Sequence, residues 1–213
     1  MRTAPAVECR HRIAEAIRVR LWLILGVLML VSGPLPAQHG ATTAQANLDQ
    51  LVQQAHTIVH GYVVSAVMEP HPQFSNLQTV VVTIKVERAL KGSAGTTLVF
   101  RQFVWDARDV PTLAGYRKSE ELLLFLGPVS EYGLTSPVGL EQGRFRILRD
   151  AKGNRTAING RANLGLFDQL PSAIAARGLA PSPEAAALLT QPRGPLPLTA
   201  LEDLIQTLAG GQK

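Results

Sequence analysis

The sequence predicts a mainly β domain, rolled into a small barrel with a helix flanking each end, and three observations carry that prediction. β-Branched stretches alternate apolar and polar residues with period two, most clearly from Thr79 to Leu90. The continuous apolar run Leu122 to Leu126 has the length of a strand buried on both faces and ends at Gly127-Pro128. Gly 18 and Pro 14 among 213 residues cut the chain into short segments. With 46 % hydrophobic and 17 % charged residues the chain can bury a core, so wholesale disorder and collagen-like repetition are excluded.

Taken in order, the chain opens with the three-part form of an export signal. Arg10, Arg12, Arg18 and Arg20 precede the apolar run Leu21 to Val31, which stops at Ser32-Gly33-Pro34. As a helix that run rises about 16 Å, against a hydrocarbon core of roughly 30 Å. Residues 1–37 are therefore read as a signal peptide and 38–46 as a short linker. Ala37 and Ala44 both remain open as the last residue removed, and an uncleaved signal would be an N-terminal membrane anchor. Either way the domain is exported, to the periplasm or outside the cell. The formal net charge of +5 belongs largely to this leader. Residues 1–37 hold five of the 21 basic residues and two of the 16 acidic ones, leaving 16 against 14. Cys9 is the single cysteine, so the remaining chain has neither a disulfide nor thiolate chemistry.

A compact domain is read over residues 47–160. Leu48, Leu51, Val52 and Ala55 recur at helical spacing after Asn47, a good N-cap. His56 to Val67 reads as a strand with Gly61 as a bulge or bend, and Pro70, Pro72 and Asn76 mark a loop. In the strand Thr79 to Leu90, Val80, Val82, Ile84, Val86 and Leu90 share one face, with Arg88 as the polar intruder. Further strands are predicted at Thr96 to Val104, Glu121 to Leu126, Leu134 to Leu140, Gly143 to Arg149 and Arg155 to Asn159. The last two are joined by a turn at Asp150 to Asn154. Residues 161–195 are rich in Pro and Ala and read as an extension, with Pro183 to Leu189 as a brief helix. Residues 196–213 place Leu198, Leu201, Leu204, Ile205 and Leu208 on one stripe of an amphipathic helix. Thr199 to Glu202 is read as its capping box, and Gly210-Gly211 as its stop.

The stretch Ala55 to Val67, the strand running into Val86-Glu-Arg-Ala-Leu-Lys-Gly92, and the Leu122 to Leu126 strand together resemble the netrin-like and tissue-inhibitor-of-metalloproteinases modules. They also resemble exported bacterial proteins of unassigned function that share this strand order. The resemblance spans roughly residues 47–149 and implies an OB-like β-barrel with helices alongside. The animal inhibitors reach a protease zinc through an N-terminal cysteine, and this chain has no cysteine after residue 9, so that mechanism does not carry over.

No catalytic residue, metal site or cofactor is read from the sequence. His56 and His60 lie four apart, but no Cys and no HExxH completes a metal site, and they are read as strand-edge histidines. Asp106 with Asp109, and Glu120 with Glu121, read as solvated loop and strand-start charges. The serines lack a nucleophile elbow, and no phosphate-binding glycine loop is present. The most suggestive feature is the hairpin of Arg144, Arg146, Arg149, Lys152, Arg155 and Arg161, opposed within those positions by Asp150 alone. Arg144 and Arg146 are expected to project from one outer face, and Phe103 with Trp105 would add a stacking surface. The functional reading is an exported, non-catalytic binding or protein-interaction module. Its partner would be another protein, or an extracellular polyanion such as acidic polysaccharide or nucleic acid held by the basic hairpin. Inhibition of a hydrolase or protease is a further reading.

Overall fold

The computed structural model describes residues 43–191 and 193–211; the signal-peptide reading of residues 1–37 lies outside them. The first described element is α1 (Leu48–Gln54). It is capped as its sequence predicts: the Asn47 side chain accepts from the Gln50 backbone N–H, and the Gln50 side chain accepts from that of Asn47, both at 2.9 Å. Strands β1 (Thr57–Pro70), β2 (Gln78–Lys91), β3 (Thr97–Phe103), β4 (Glu121–Leu126), β5 (Arg144–Arg149) and β6 (Arg155–Asn159) follow. Then come α2 (Leu170–Ala176), α3 (Pro183–Leu188), the two-residue β7 (Leu196–Pro197) and α4 (Leu198–Gly210). No helix among the described residues is long and apolar enough to cross a membrane.

The strands form one antiparallel sheet in the order β3-β2-β1-β4-β5-β6-β7. The mainly β expectation holds, but the sheet is not closed into a barrel. Its last strand is only two residues long and one of them is Pro, which has no N–H to donate to a closing ladder. Each face of the sheet carries its own core. On one face Leu123 and Phe125 of β4 pack with Ile58, Phe145 and the four helices; on the other Leu122, Leu124 and Leu126 pack with Val59, Val80, Val82, Ile84 and Phe100 under Tyr116. That division is why all six residues of β4 are buried.

Three local expectations are corrected. Leu134 to Leu140 is not a strand. It makes only isolated bridges, Arg101 to Leu134 and Leu126 to Pro137, because Gly133 and Gly139 adopt left-handed φ values of 72° and 60° and Pro137 lacks an N–H. In β2, Val80, Val82 and Ile84 share a core but Leu90 belongs to the opposite one. The register slips where His60 pairs with Arg88 and Gly61 with Val86, passing over Glu87, so Arg88 turns to the helical face. At the slip, Gly61 is required: a Cβ there would sit 2.2 Å from the Lys85 carbonyl oxygen. Finally, α4 begins at Leu198 with no side-chain cap, and Glu202 points into the core instead of back toward Thr199. The Pro- and Ala-rich stretch 161–195 contributes Leu166, Phe167, Leu170, Ile174, Ala185 and Leu188 to the helical-side core.

Candidate functional site: an apolar cleft and a buried charge row

A cleft of about 730 Å³ opens where the end of β3 meets the loop 127–140. Leu77, Phe103, Trp105, Leu134, Val138 and Leu140 supply apolar walls, and no charged side chain lines it. Its hydroxyls are largely committed: Thr135 Oγ1 donates to the Gly127 carbonyl at 2.8 Å, Thr43 Oγ1 to that of Gly139 at 3.2 Å, and Ser130 Oγ accepts from the Leu134 N–H at 3.2 Å. Trp105 stands at its edge, 64 % exposed, with Phe103 edge-on to it at 4.9 Å between ring centroids. The loop 71–77 and the loop carrying Tyr132 meet beside it. Phe74 stacks on His71 at 5.2 Å and meets Tyr132 edge-on at 5.4 Å, while His71 Nε2 lies 2.8 Å from the Tyr132 carbonyl oxygen. Six Phe, two Trp and three Tyr make up the chain's aromatic complement, and four of them gather here. Of the stacking pair named from the sequence, Trp105 is exposed and Phe103 half-buried, and both line the cleft.

The basic hairpin does not form one patch. Arg144 folds back onto the molecule: it donates to the Ala114 carbonyl at 2.7 Å, pairs with Glu141 and lies 5.0 Å over the Tyr116 ring. The expectation that it projects outward beside Arg146 is thereby corrected. Burial pushes the Tyr116 phenol up, so it stays protonated and donates to Gln102 at 2.7 Å. Arg161 reaches the Thr43 carbonyl at 3.1 Å. Arg146 and Lys152 are exposed and make no salt bridge among the described residues. Arg149 and Arg155, directly opposite each other across the β5–β6 hairpin, both turn onto Glu121. Arg149 Nη2 lies 2.8 Å and Arg155 Nη1 3.2 Å from its oxygens, and Arg149 also reaches the Tyr62 hydroxyl at 2.9 Å.

Glu121 is thus a buried carboxylate, not a solvated strand start, and behind it lies His60. That imidazole is 1 % exposed in β1, an inner strand, so the strand-edge reading is corrected as well. His60 Nε2 is 2.9 Å from Glu121 Oε1. Its Nδ1 is 2.9 Å from Glu202 Oε1 on α4, close enough for an ion pair but too bent for a straight hydrogen bond. Glu202 in turn pairs with Arg88. A neutral imidazole has one donor, and both nitrogens here face carboxylates, so the arrangement selects the imidazolium. Burial pulls the His60 pKa down, but the two carboxylates outweigh it and hold the group above its ordinary 6.5. For Glu121, burial pushes upward, and His60, Arg149 and Arg155 more than offset it, so the carboxyl lies below its usual range. The two carboxylates take opposite nitrogens and do not converge on a point. Among the described residues no group of three or more His, Cys, Asp or Glu is placed to hold a metal ion.

Asp106 is tied to Arg108, whose Nε lies 2.9 Å from its Oδ1, and caps the turn Ala107–Asp109. Compared with protein-family models, with curated proteins and with solved structures, the chain finds no match in any of the three.

Proposed function

We propose that the chain is an exported, non-catalytic protein-interaction module that receives an uncharged, apolar segment of a partner in the cleft beside Trp105. The observation that carries this is a charge-free, aromatic-edged cleft of about 730 Å³ on a chain otherwise short of aromatic side chains. That volume falls in the range of ordinary ligand sites. Exposed Trp and Tyr are the side chains that anchor interfaces, because they bury a large area with few rotatable bonds. The absence of charge disfavours an acidic or basic occupant, which would lose its hydration without gaining a partner. Export is supported by the basic residues Arg10, Arg12, Arg18 and Arg20 ahead of the apolar run Leu21 to Val31. The sheet is proposed to be kin to the OB-like barrels. That kinship is supported by the long β1, which pairs with both β2 and β4, and by the partly open barrels known in that class.

The test is a panel of short synthetic peptides, uncharged apolar, acidic and basic, titrated calorimetrically into the chain from residue 38. Uncharged apolar peptides are expected to bind, with Trp105→Ala or Leu134→Arg weakening them about tenfold or more, the usual size of an interface anchor. Preference for charged peptides, or indifference to both substitutions, would overturn the proposal.

A further inference from the structure

We propose that Arg149 and Arg155 form an oxyanion site at the end of the β5–β6 hairpin, taking a phosphate or sulfate group either free or carried on a polymer. The inference comes from the charge row on the helical face of the sheet and is independent of the cleft. Running across the strands, Arg88 pairs with Glu202, and the His60 imidazolium is held between Glu202 and Glu121. Arg88 balances Glu202, and His60 balances Glu121. Arg149 and Arg155 then remain as two guanidinium charges without a compensating carboxylate of their own, although both lie on Glu121.

Like charges placed directly opposite each other on a hairpin repel, and here the single carboxylate of Glu121 holds both. Glu121, with its side chain 5 % exposed, accepts from Nε and Nη2 of Arg149 and from Nη1 of Arg155, and Nη2 of Arg149 also donates to the Tyr62 hydroxyl, while the side chains of Arg149 and Arg155 remain 50 % and 36 % exposed. What remains, Nη1 of Arg149 and the Nε–Nη2 edge of Arg155, is thus oriented before a ligand arrives, and a planar edge of that kind is the geometry that grips tetrahedral oxyanions. Lys152, in the turn between them, adds charge without a salt bridge of its own among the described residues. Asp150, the acid of that turn, is occupied in holding it, accepting from the Lys152 and Asn154 backbone N–H groups at 2.8 Å.

Inorganic phosphate and heparin are titrated at low and at high salt into four proteins: the chain from residue 38, its Arg149→Gln/Arg155→Gln variant, its Arg149→Lys/Arg155→Lys variant, and Arg146→Gln. Binding should be salt-sensitive and should weaken about tenfold to a hundredfold in the Gln pair, the size of one or two charge-assisted hydrogen bonds. The Lys pair keeps the charge and the support of Glu121 but loses the planar edge, and should fall between; Arg146→Gln should match the parent. Phosphate binding that needs the two arginines assigns the site to a single oxyanion, and heparin binding that needs them assigns it to a polymer. Binding of neither probe, binding equally strong in the Gln and Lys pairs, or equal loss in Arg146→Gln would overturn the proposal.

Discussion

His60 joins three elements through one ring: β1 carries it, β4 supplies Glu121 and α4 supplies Glu202. Its folded pKa is raised above 6.5, so its contribution to stability is complete below that value and is lost as pH rises through the folded pKa. Glu121 has the opposite sign. Its folded pKa lies below 4.5, so its contribution is complete above that value and is lost as pH falls through the folded one. Urea midpoints should therefore be flat between about pH 4.5 and 6.5 and decline on either side. His60→Gln should remove the alkaline decline while leaving the acid one, and a parent curve still flat well above neutrality would contradict the assignment. His60→Ala leaves Glu121 to Arg149 and Arg155 and Glu202 to Arg88, and is expected to cost about 1.5–3 kcal/mol by denaturant unfolding, the size of a lost hydrogen bond to a charged group. At the neighbouring Gly61, an added methyl meets the backbone oxygen of Lys85, and β1 and β2 would have to part. Gly61→Ala should cost about 1–3 kcal/mol, and a neutral result would show the bulge to be soft.

Among elements, α4 does most to hold the helical-side core. Leu198, Leu201, Leu204, Ile205 and Leu208 are all buried, and Arg177 ties the Leu208 carbonyl at 2.7 Å to Asp49 of α1 at 2.6 Å. Leu201→Ala is expected to cost about 2–5 kcal/mol, and removal of residues 196–213 should leave a chain without a cooperative melt. A truncated chain that melts like the parent would overturn that. α1, β2, β4 and the apolar stripe of α4 were legible because their signals are local: an N-cap, a period of two, a run of strand length, a stripe of five. The charge row was not legible. His60 and Glu121 stand 61 positions apart, and the slip at Glu87 that turns Arg88 toward Glu202 depends on cross-strand register, which no single strand encodes. Glu202 even carried a misleading local signal, since Thr199 to Glu202 has the spacing of a capping box. Arg88 was visible as an anomaly on an apolar face, and Trp105 as an aromatic near a strand end. Both are the kind of local inconsistency that marks a residue with work outside its own element.

At the scale of the whole molecule, the two cores of the sheet are covered, one by the helices and the other by the segment leading to Tyr116, while Val64, Val67 and Val99 stay exposed on β1 and β3. The apolar stripe of α4, expected from sequence to pack on the domain or on a partner, is spent on the domain. The charge-free cleft and the arginine pair are both presented, built from different residues and calling for different chemistry. Binding at the cleft is accordingly expected to be insensitive to salt, and binding at the arginine pair to weaken with it. The most direct measurement uses Trp105, the only tryptophan beyond residue 22. Its emission is followed while an uncharged apolar peptide is titrated into the chain from residue 38. A saturable blue shift, as the exposed indole is covered, is the predicted result, unchanged by Arg149→Gln/Arg155→Gln. An emission spectrum that stays put while calorimetry records binding would place the partner elsewhere and contradict the account.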